Sequence, residues 1–168
     1  IVKAKFDGKK IILDSKKIDL TNFKNIFLIG FGKASVGMAQ AVCDSIYVKK
    51  GVVITNDSNK KVKSKSILTL VGPHPIPNKK SIENTNKILD IVKNCDKNDL
   101  LIVLISGGGS ALLCKPKINI KDFQKTINIF LKSGANINEI NTIRKHLSLV
   151  KGGQLLNYTK SNVISFII

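Results

Sequence analysis

A glycine-rich turn follows a fully apolar run in the second half of the sequence. Residues 100–105 read LLIVLI and residues 106–110 read SGGGS. The branched apolar run predicts a strand that is covered on both faces, as in a parallel sheet. If a helix begins at Ala111, its dipole and the N–H groups of the turn form a site for phosphate or carboxylate. A plain tight turn is the alternative, but it needs only one glycine, so three favour anion binding.

A second glycine-bearing loop, GFGKAS at residues 30–35, follows another apolar segment. It is not a Walker A loop, because Phe27 and Ala34 occupy positions that such a loop gives to glycine and to serine or threonine. It is also an imperfect dinucleotide fingerprint, since Ser35 stands at the third glycine position. With Asp57 as a ribose-binding acid, a reductase that uses NAD(P) stays open as a rival interpretation.

Lys33 lies where the helix after this loop should begin. A lysine in the first turn opposes the helix dipole. It is therefore either an exposed side chain without a role or a cation held to meet an anion, such as a phosphoryl group in transfer. If the strands before the two glycine loops run parallel, both loops lie at the edge of the sheet where ligands bind in such folds.

The segment NEINTIRKHLSLVKGG, residues 138–153, is dense in polar side chains for a helix. A solvated charged face is the ordinary explanation. Two observations favour a function instead. Arg144 is the only arginine of the chain, and Asn141, Lys145 and Ser148 share one helix face. Arg144 has the geometry for a forked pair of hydrogen bonds to a carboxylate or a phosphate.

The roles of the two histidines stay open from the sequence. His146 is either an acid–base group or, more commonly for such a residue, a structural one. His74, in the proline-rich stretch GPHPIPN, either lines a site or packs. The sequence shows neither the nucleophile elbow of a serine hydrolase nor the spacing of a metal site.

Apolar periodicity divides the rest of the chain into alternating strands and helices. A β-hairpin is predicted on either side of Asp7–Gly8. The predicted strands are residues 25–30, 51–55, 67–72, 100–105 and 163–168, and the predicted helices are residues 33–50, 81–93, 120–133 and 137–150, with a further helix from residue 111. The alternation predicts an α/β fold, a Rossmann-like and mostly parallel sheet with helices on both faces, preceded by the hairpin.

Composition limits the classes of partner. The net charge is +17, but the lysines are scattered, and tryptophan is absent. We therefore predict no nucleic-acid partner, although a non-catalytic basic binding module remains a further open class. No stretch approaches the length of a membrane span, and no signal peptide is visible. The three widely spaced cysteines form no disulfide framework and predict a cytoplasmic protein.

Four motifs together resemble one family. They are GFGKAS, GPHPIPN, LISGGGSALL and INEINTIRKHLSLVKGGQL. Their order and spacing resemble those of the glycerate 2-kinases of the MOFRL type, some of which have been labelled hydroxypyruvate reductases. The resemblance runs from Asn25 to the last residue, and the fourth motif is long and highly specific.

The resemblance implies ATP-dependent phosphorylation of D-glycerate at its 2-hydroxyl group, with Mg²⁺. Phosphoryl transfer needs positioning and positive charge more than covalent chemistry, which suits these residues. Carried over by motif, the catalytic candidates are Lys33 and Arg144. The candidates for binding substrate or phosphate are Ser106, Gly107, Gly108, Gly109, Ser110, Glu139, Asn141, Lys145 and Lys151. No residue is carried over as a metal ligand. The oligomeric state stays open, with a homodimer as one alternative.

The chain differs from the family pattern at its ends. It does not begin with methionine, and it ends on the apolar run VISFII. Family members continue with an aspartate-bearing segment and a smaller C-terminal MOFRL domain that closes over the cleft. We therefore expect residues 1–168 to be a partial N-terminal Rossmann-like domain without the MOFRL domain, inactive by itself. The exact hydroxy-acid substrate stays open.

Overall fold

The chain opens with a small antiparallel sheet. The computed structural model describes residues 4–13 and 16–168. Strands β1 (Ala4–Asp7), β2 (Lys10–Leu13) and β3 (Lys16–Asp19) pair in that order. Gly8 takes the left-handed conformation that the turn between β1 and β2 requires, with a φ of 43°. The predicted hairpin is confirmed, and it carries a third strand that the sequence pattern did not reveal.

A five-stranded parallel sheet forms the centre of the molecule. Its strands are β4 (Ile26–Phe31), β5 (Lys50–Thr55), β6 (Ile67–Val71), β7 (Leu100–Ile105) and β8 (Asn162–Ile167). The spatial order is β6-β5-β4-β7-β8, so the direction of winding reverses between β4 and β7. Reversal of the strand order is the mark of a doubly wound fold, and ligands bind at the crevice it creates. The predicted Rossmann-like α/β class is confirmed.

Helices cover both faces of this sheet. They are α1 (Ser35–Ser45), α2 (Lys79–Lys93), α3 (Gly109–Leu112), α4 (Ile120–Lys132) and α5 (Ile137–His146). Helix α1 packs on one face of β4 and β7 through Val36 and Val42, and α2 packs on the other through Ile88 and Val92. Because both faces are buried, the strands read as continuous apolar runs rather than alternating ones.

Several predicted boundaries are wrong, because a contact with another part of the chain decides where the element ends. Helix α1 ends at Ser45 rather than residue 50, because Lys50 already pairs with β4. Helix α5 ends at His146 rather than residue 150, and Ser148 instead forms a β-bridge with Pro116. The C-terminal run predicted over residues 163–168 forms β8, which begins one residue earlier and, among the described residues, is the outermost strand beside β7.

The short helix α3 also departs from the prediction. It begins at Gly109 instead of Ala111 and contains only four residues. A helix dipole is a sum over many aligned peptide units. A single turn therefore supplies little of the dipole that the sequence analysis assigned to this position. Any anion held here is bound by individual N–H groups.

Candidate anion-binding site at the carboxyl edge of the sheet

The two glycine loops lie against each other where the winding reverses. Strands β4 and β7 are adjacent and parallel, so the loops that follow them leave the sheet side by side. The N–H of Lys33 donates to the Gly107 carbonyl oxygen at 2.8 Å. The N–H of Ala34 donates to Ser106 Oγ at 3.0 Å. The structure thus brings Lys33 and the glycine turn into one site, as expected for parallel strands.

Gly32 has a packing role that the sequence did not reveal. Its φ is 131°, and a Cβ at this position would lie 2.2 Å from Ser106 Oγ. The space that a dinucleotide fingerprint keeps open for pyrophosphate is therefore filled by Ser106. At the third position of the fingerprint, the buried hydroxyl of Ser35 donates toward the carbonyl oxygens of Gly32, at 2.7 Å, and Ile54, at 3.1 Å. Both contacts weigh against dinucleotide binding at this loop.

Asp57, the ribose-binding acid of the reductase interpretation, is engaged within its own loop. Its carboxylate accepts a hydrogen bond from the N–H of Asn59 at 3.0 Å. It also forms an ion pair with Lys60 at 3.3 Å. These partners hold the pKa of the Asp57 carboxyl below its usual value, the Asn59 hydrogen bond most strongly. The carboxylate thus stabilises the turn after β5 through these two contacts.

The glycine turn leaves part of its backbone free for a ligand. Gly108 has a φ of 82°, and the N–H groups of Gly109 and Ala111 donate to the carbonyl oxygens of Ser106 and Gly108, each at 3.2 Å. Within residues 4–13 and 16–168, three further amides of the turn have no acceptor, those of Gly107, Gly108 and Ser110. Unpaired N–H groups grouped in a turn are a concave site for an anion.

A cavity of about 430 Å³ opens beside this turn. The sheet forms its floor, the turn forms one wall, and the segment after α5 forms the other. Its lining residues are Phe31, Val103, Ile105, Ser106, Gly108, Gly109, Ser110, Leu113, Val150, Lys151, Gly152, Gly153, Leu155, Leu156 and Ser165. Most of these side chains are apolar, and Lys151 is the charged one in the described lining. The cavity suits a molecule with an apolar body and an anionic end.

Lys151 is held at this cavity with its charge largely removed from water. Its Nζ donates to the carbonyl oxygen of Leu113, and its N–H donates to Ser148 Oγ at 3.0 Å. Burial lowers the pKa of the Lys151 ammonium; the Cys114 thiol opposes this shift, and the Arg144 charge adds to it. Burial also raises the pKa of the Cys114 thiol, which Lys151 and Arg144 partly offset. The Arg144 charge thus acts on the pKa of both Lys151 and Cys114.

The four predicted residues on α5, Glu139, Asn141, Arg144 and Lys145, all lie outside the cavity lining. Glu139 accepts a hydrogen bond from the Asn136 N–H at 2.8 Å, and its own N–H donates to Asn136 Oδ1 at 3.1 Å. This reciprocal pair is a capping box at the start of α5. Lys145 lies at the rim, since a Cβ on Gly152 would be 3.5 Å from Lys145 Cβ. Asn141 is half-buried on the same helix.

His74 reaches the site from a third loop, the one that follows β6. A Cβ on Gly108 would lie 3.0 Å from His74 Nε2 and 3.4 Å from Lys33 Cγ. The imidazole and the lysine stem therefore flank the same glycine. The sequence analysis noted this histidine but could not place it. Its signal was a proline-rich segment directly after a predicted strand, at the ligand-binding edge.

The other histidine has a local contact. His146 Nδ1 lies 2.9 Å from the Thr142 carbonyl oxygen, one turn earlier in α5. The side chain is exposed at the end of the helix. This contact fits the structural role that was the commoner expectation.

The described residues supply no carboxylate to this cavity, and they contain no group of three or more His, Cys, Asp and Glu side chains that could hold a metal ion. The site's residues therefore do not fit a Mg²⁺ centre of their own. In the same part of the chain, none of the helices has the length and hydropathy needed to cross a bilayer.

Comparison with known proteins agrees with this architecture. The family model described as a domain of unknown function, DUF4147, matches residues 1–168. The glycerate 2-kinase of Pyrococcus horikoshii is 40% identical over 98% of this chain. A crystal structure of a P. horikoshii protein superimposes with a TM-score of 0.89, at 40% identity over 98% of this chain. That of the Thermotoga maritima glycerate kinase gives a TM-score of 0.82, at 34% identity over 88% of this chain.

A doubly wound α/β domain with a candidate anion site at its switch point is thus the class that the fold defines. The chain belongs to the DUF4147 family. The predicted resemblance to glycerate 2-kinases is confirmed by these relatives. The chain spans 37% of the length of the P. horikoshii relative and 37% of the T. maritima structure.

Proposed function

We propose that residues 1–168 are part of a glycerate 2-kinase, which transfers a phosphoryl group from ATP to the 2-hydroxyl of D-glycerate. The observation that carries the proposal is the similarity to a curated glycerate 2-kinase across 98% of the chain. Within that frame, the chain is the partial N-terminal Rossmann-like domain of a kinase of the MOFRL type. Its partners are then ATP and a small hydroxy acid, and its location is the cytoplasm.

In this reaction the 2-hydroxyl oxygen attacks the γ-phosphorus. A new O–P bond forms, the bond between the γ-phosphorus and the β–γ bridging oxygen breaks, and ADP leaves while the hydroxyl proton is released. Charge spreads over the transferred oxygens, so fixed cations and N–H groups lower the barrier. Mg²⁺ would accompany ATP and offset its negative charge, but the described lining holds no carboxylate to bind the metal.

The proposal gives a role to most of the predicted residues. The free amides of the turn and the hydroxyl of Ser110 bind an oxyanion of substrate or nucleotide. Lys33 neutralises the charge that develops on the phosphoryl group. Lys151, on the other wall, and Arg144, on α5 outside the lining, bind phosphate or carboxylate. Glu139, Asn141 and Lys145 lie on α5, and Glu139 acts there through the start of the helix rather than by direct contact.

The test is an assay on the natural gene product that contains residues 1–168. We expect ATP-dependent formation of 2-phosphoglycerate from D-glycerate, identified by ³¹P NMR, and little product from L-glycerate. Oxidation of NADH with hydroxypyruvate, in place of phosphorylation, would establish the reductase. Salt-sensitive binding of nucleic acid without either activity would establish the basic binding module. The 168-residue chain alone should show no turnover.

A further inference from the structure

The loop that carries His74 is anchored at its root to two neighbouring elements. Gly72, directly after β6, is buried, and its N–H donates to the Thr55 carbonyl oxygen at 2.8 Å. The carbonyl oxygen of Val71 accepts a hydrogen bond from Asn84 Nδ2 of α2 at 3.1 Å. These bonds fix the direction in which the chain leaves the sheet. His74 therefore comes to the glycine turn from a defined position.

At the turn, the His74 ring and Lys33 approach Gly108 together. A Cβ on Gly108 would lie 3.0 Å from Nε2 and 3.2 Å from Cδ2 of His74. The edge of the ring that bears Nε2 thus faces the turn. Among the described residues, the His74 ring has no protein hydrogen-bond partner, whereas the His146 ring is bonded to the Thr142 carbonyl oxygen. The His74 ring is exposed and free to take a ligand.

The groups around this ring define the chemistry of that ligand. Lys33 is cationic, and the unpaired amides of Gly107, Gly108 and Ser110 are hydrogen-bond donors. The lining beside them contains no carboxylate in the described chain. Donors and a cation converging on one point select an oxyanion. An imidazole whose Nε2 carries the proton adds one further donor to the same group.

We propose that His74 binds the oxyanion held by the glycine turn and Lys33, donating a hydrogen bond from Nε2. The oxyanion is a phosphate of the nucleotide or the carboxylate of the hydroxy acid. His74, in the loop after β6, thereby forms a third wall of the site. The loops that follow β4 and β7 form the other two. The inference rests on the proposed function for the identity of the ligands, but not for the existence of the site.

The experiment uses the fact that the chain has only two histidines. Imidazole ¹H–¹⁵N NMR spectra of the 168-residue chain are recorded during separate titrations with inorganic phosphate, ATP and D-glycerate. We expect the Nε2 resonance of His74 to shift with the backbone amides of residues 107–110, while His146 stays unchanged. A response to phosphate and ATP assigns the site to the nucleotide, and a response to D-glycerate assigns it to the hydroxy acid.

Variants separate ligand binding from a structural role. His74→Ala should weaken binding of the responding ligand about tenfold, the cost of one hydrogen bond to a charged group. His74→Gln keeps a donor near the position of Nε2 and should recover most of that loss. His146→Ala is the matched control and should bind like the unchanged chain. Unfolding curves of all variants show whether the fold is intact.

Two results would overturn the inference. One is a shift of the turn amides without any response of His74, with His74→Ala binding normally. The other is no response of residues 106–110 or of His74 to any of the three probes. If His74 responds as expected but the natural gene product phosphorylates no D-glycerate, the anion site stands and the proposed function fails.

Discussion

Lys33 and Lys151 place two cations at one site in opposite surroundings. Lys33 is exposed, and its described hydrogen bond to Gly107 is made by its backbone. Lys151 is half-buried, and its ammonium donates to a backbone carbonyl. An exposed lysine can be removed without harm to packing, whereas a buried cation is coupled to the stability of the fold. The two residues therefore call for different experiments.

Lys33→Ala tests the cation next to the glycine turn. We expect turnover of the natural gene product to fall about 100-fold, because under the proposed function the transferred phosphoryl group loses the cation beside the glycine turn. The free energy of unfolding should stay unchanged, since the side chain is exposed. Steady-state kinetics and urea unfolding provide the two measurements.

The matched control is Lys24→Ala. Lys24 is also exposed, but it precedes β4 and so lies at the opposite edge of the sheet. This variant should retain full turnover. If Lys33→Ala retains it as well, the role proposed for Lys33 is wrong.

Lys151 predicts a dependence of stability on pH. Its pKa in the folded chain lies below the ordinary value of 10.5, chiefly because of burial. Between the two pKa values the folded chain binds fewer protons than the unfolded chain, so the free energy of unfolding rises with pH in that window. Lys151→Met removes this contribution. We expect the stability of the unchanged chain relative to Lys151→Met to increase as the pH rises from neutral toward 10.5. Urea unfolding of both proteins at several pH values measures the difference, and a constant difference would contradict the assignment.

At the scale of elements, the fold requires a glycine at one position near the start of α1 and not at another. Gly32 joins β4 to α1 with a φ of 131°, and a Cβ there would lie 2.4 Å from the carbonyl oxygen of Ser106. Gly37, in the first turns of α1, faces open space. The first glycine is required by the contact between the loops after β4 and β7, and the second is not.

Gly32→Ala and Gly37→Ala are therefore a matched pair. Gly32→Ala should lower the free energy of unfolding by about 3 kcal/mol, because the methyl group meets backbone atoms and the backbone conformation is strained. Gly37→Ala should raise it by about 0.5 kcal/mol, because alanine favours the helix. Chemical denaturation of the two variants gives both values. Equal effects would show that the two loops do not pack as described.

The predicted elements show which boundaries a local sequence pattern can predict and which it cannot. The five strands of the parallel sheet were predicted to within one residue, because a continuous apolar run has a clear signature, whereas β3 was missed. The ends of α1 and α5 were not predicted correctly, because the chain leaves the helix where another contact competes for it. In α5 that contact is the bridge between Ser148 and Pro116. Boundaries decided by a distant segment leave no trace in local periodicity.

At the scale of the whole molecule, the three cysteines report on the packing of the sheet. Cys95 and Cys114 are 5% and 1% exposed, whereas Cys43 is half-buried. Burial raises the pKa of each thiol, and for Cys95, with Asp99 adding to the effect, to about 12. The reactive thiolate is therefore scarce in the folded protein.

Thiol labelling with an aromatic disulfide tests this packing. In mildly alkaline buffer, Cys43 should react first and slowly, and Cys95 and Cys114 only after unfolding in urea. Cys43→Ser should remove the early reaction. Rapid labelling of Cys114 in the folded chain would mean that the cavity wall beside Lys151 is open to solvent.

The sequence by itself determined the elements and the chemistry of the two glycine loops. Apolar runs predict buried strands, and the glycine and lysine residues of the two loops predict a candidate site for an anion, because both signals belong to short segments. The tertiary structure decided which segments meet. It placed Ser106 in the space left by Gly32 and His74 against Gly108. Those outcomes depend on the strand order β6-β5-β4-β7-β8, which joins loops far apart in the chain and which no local pattern encodes.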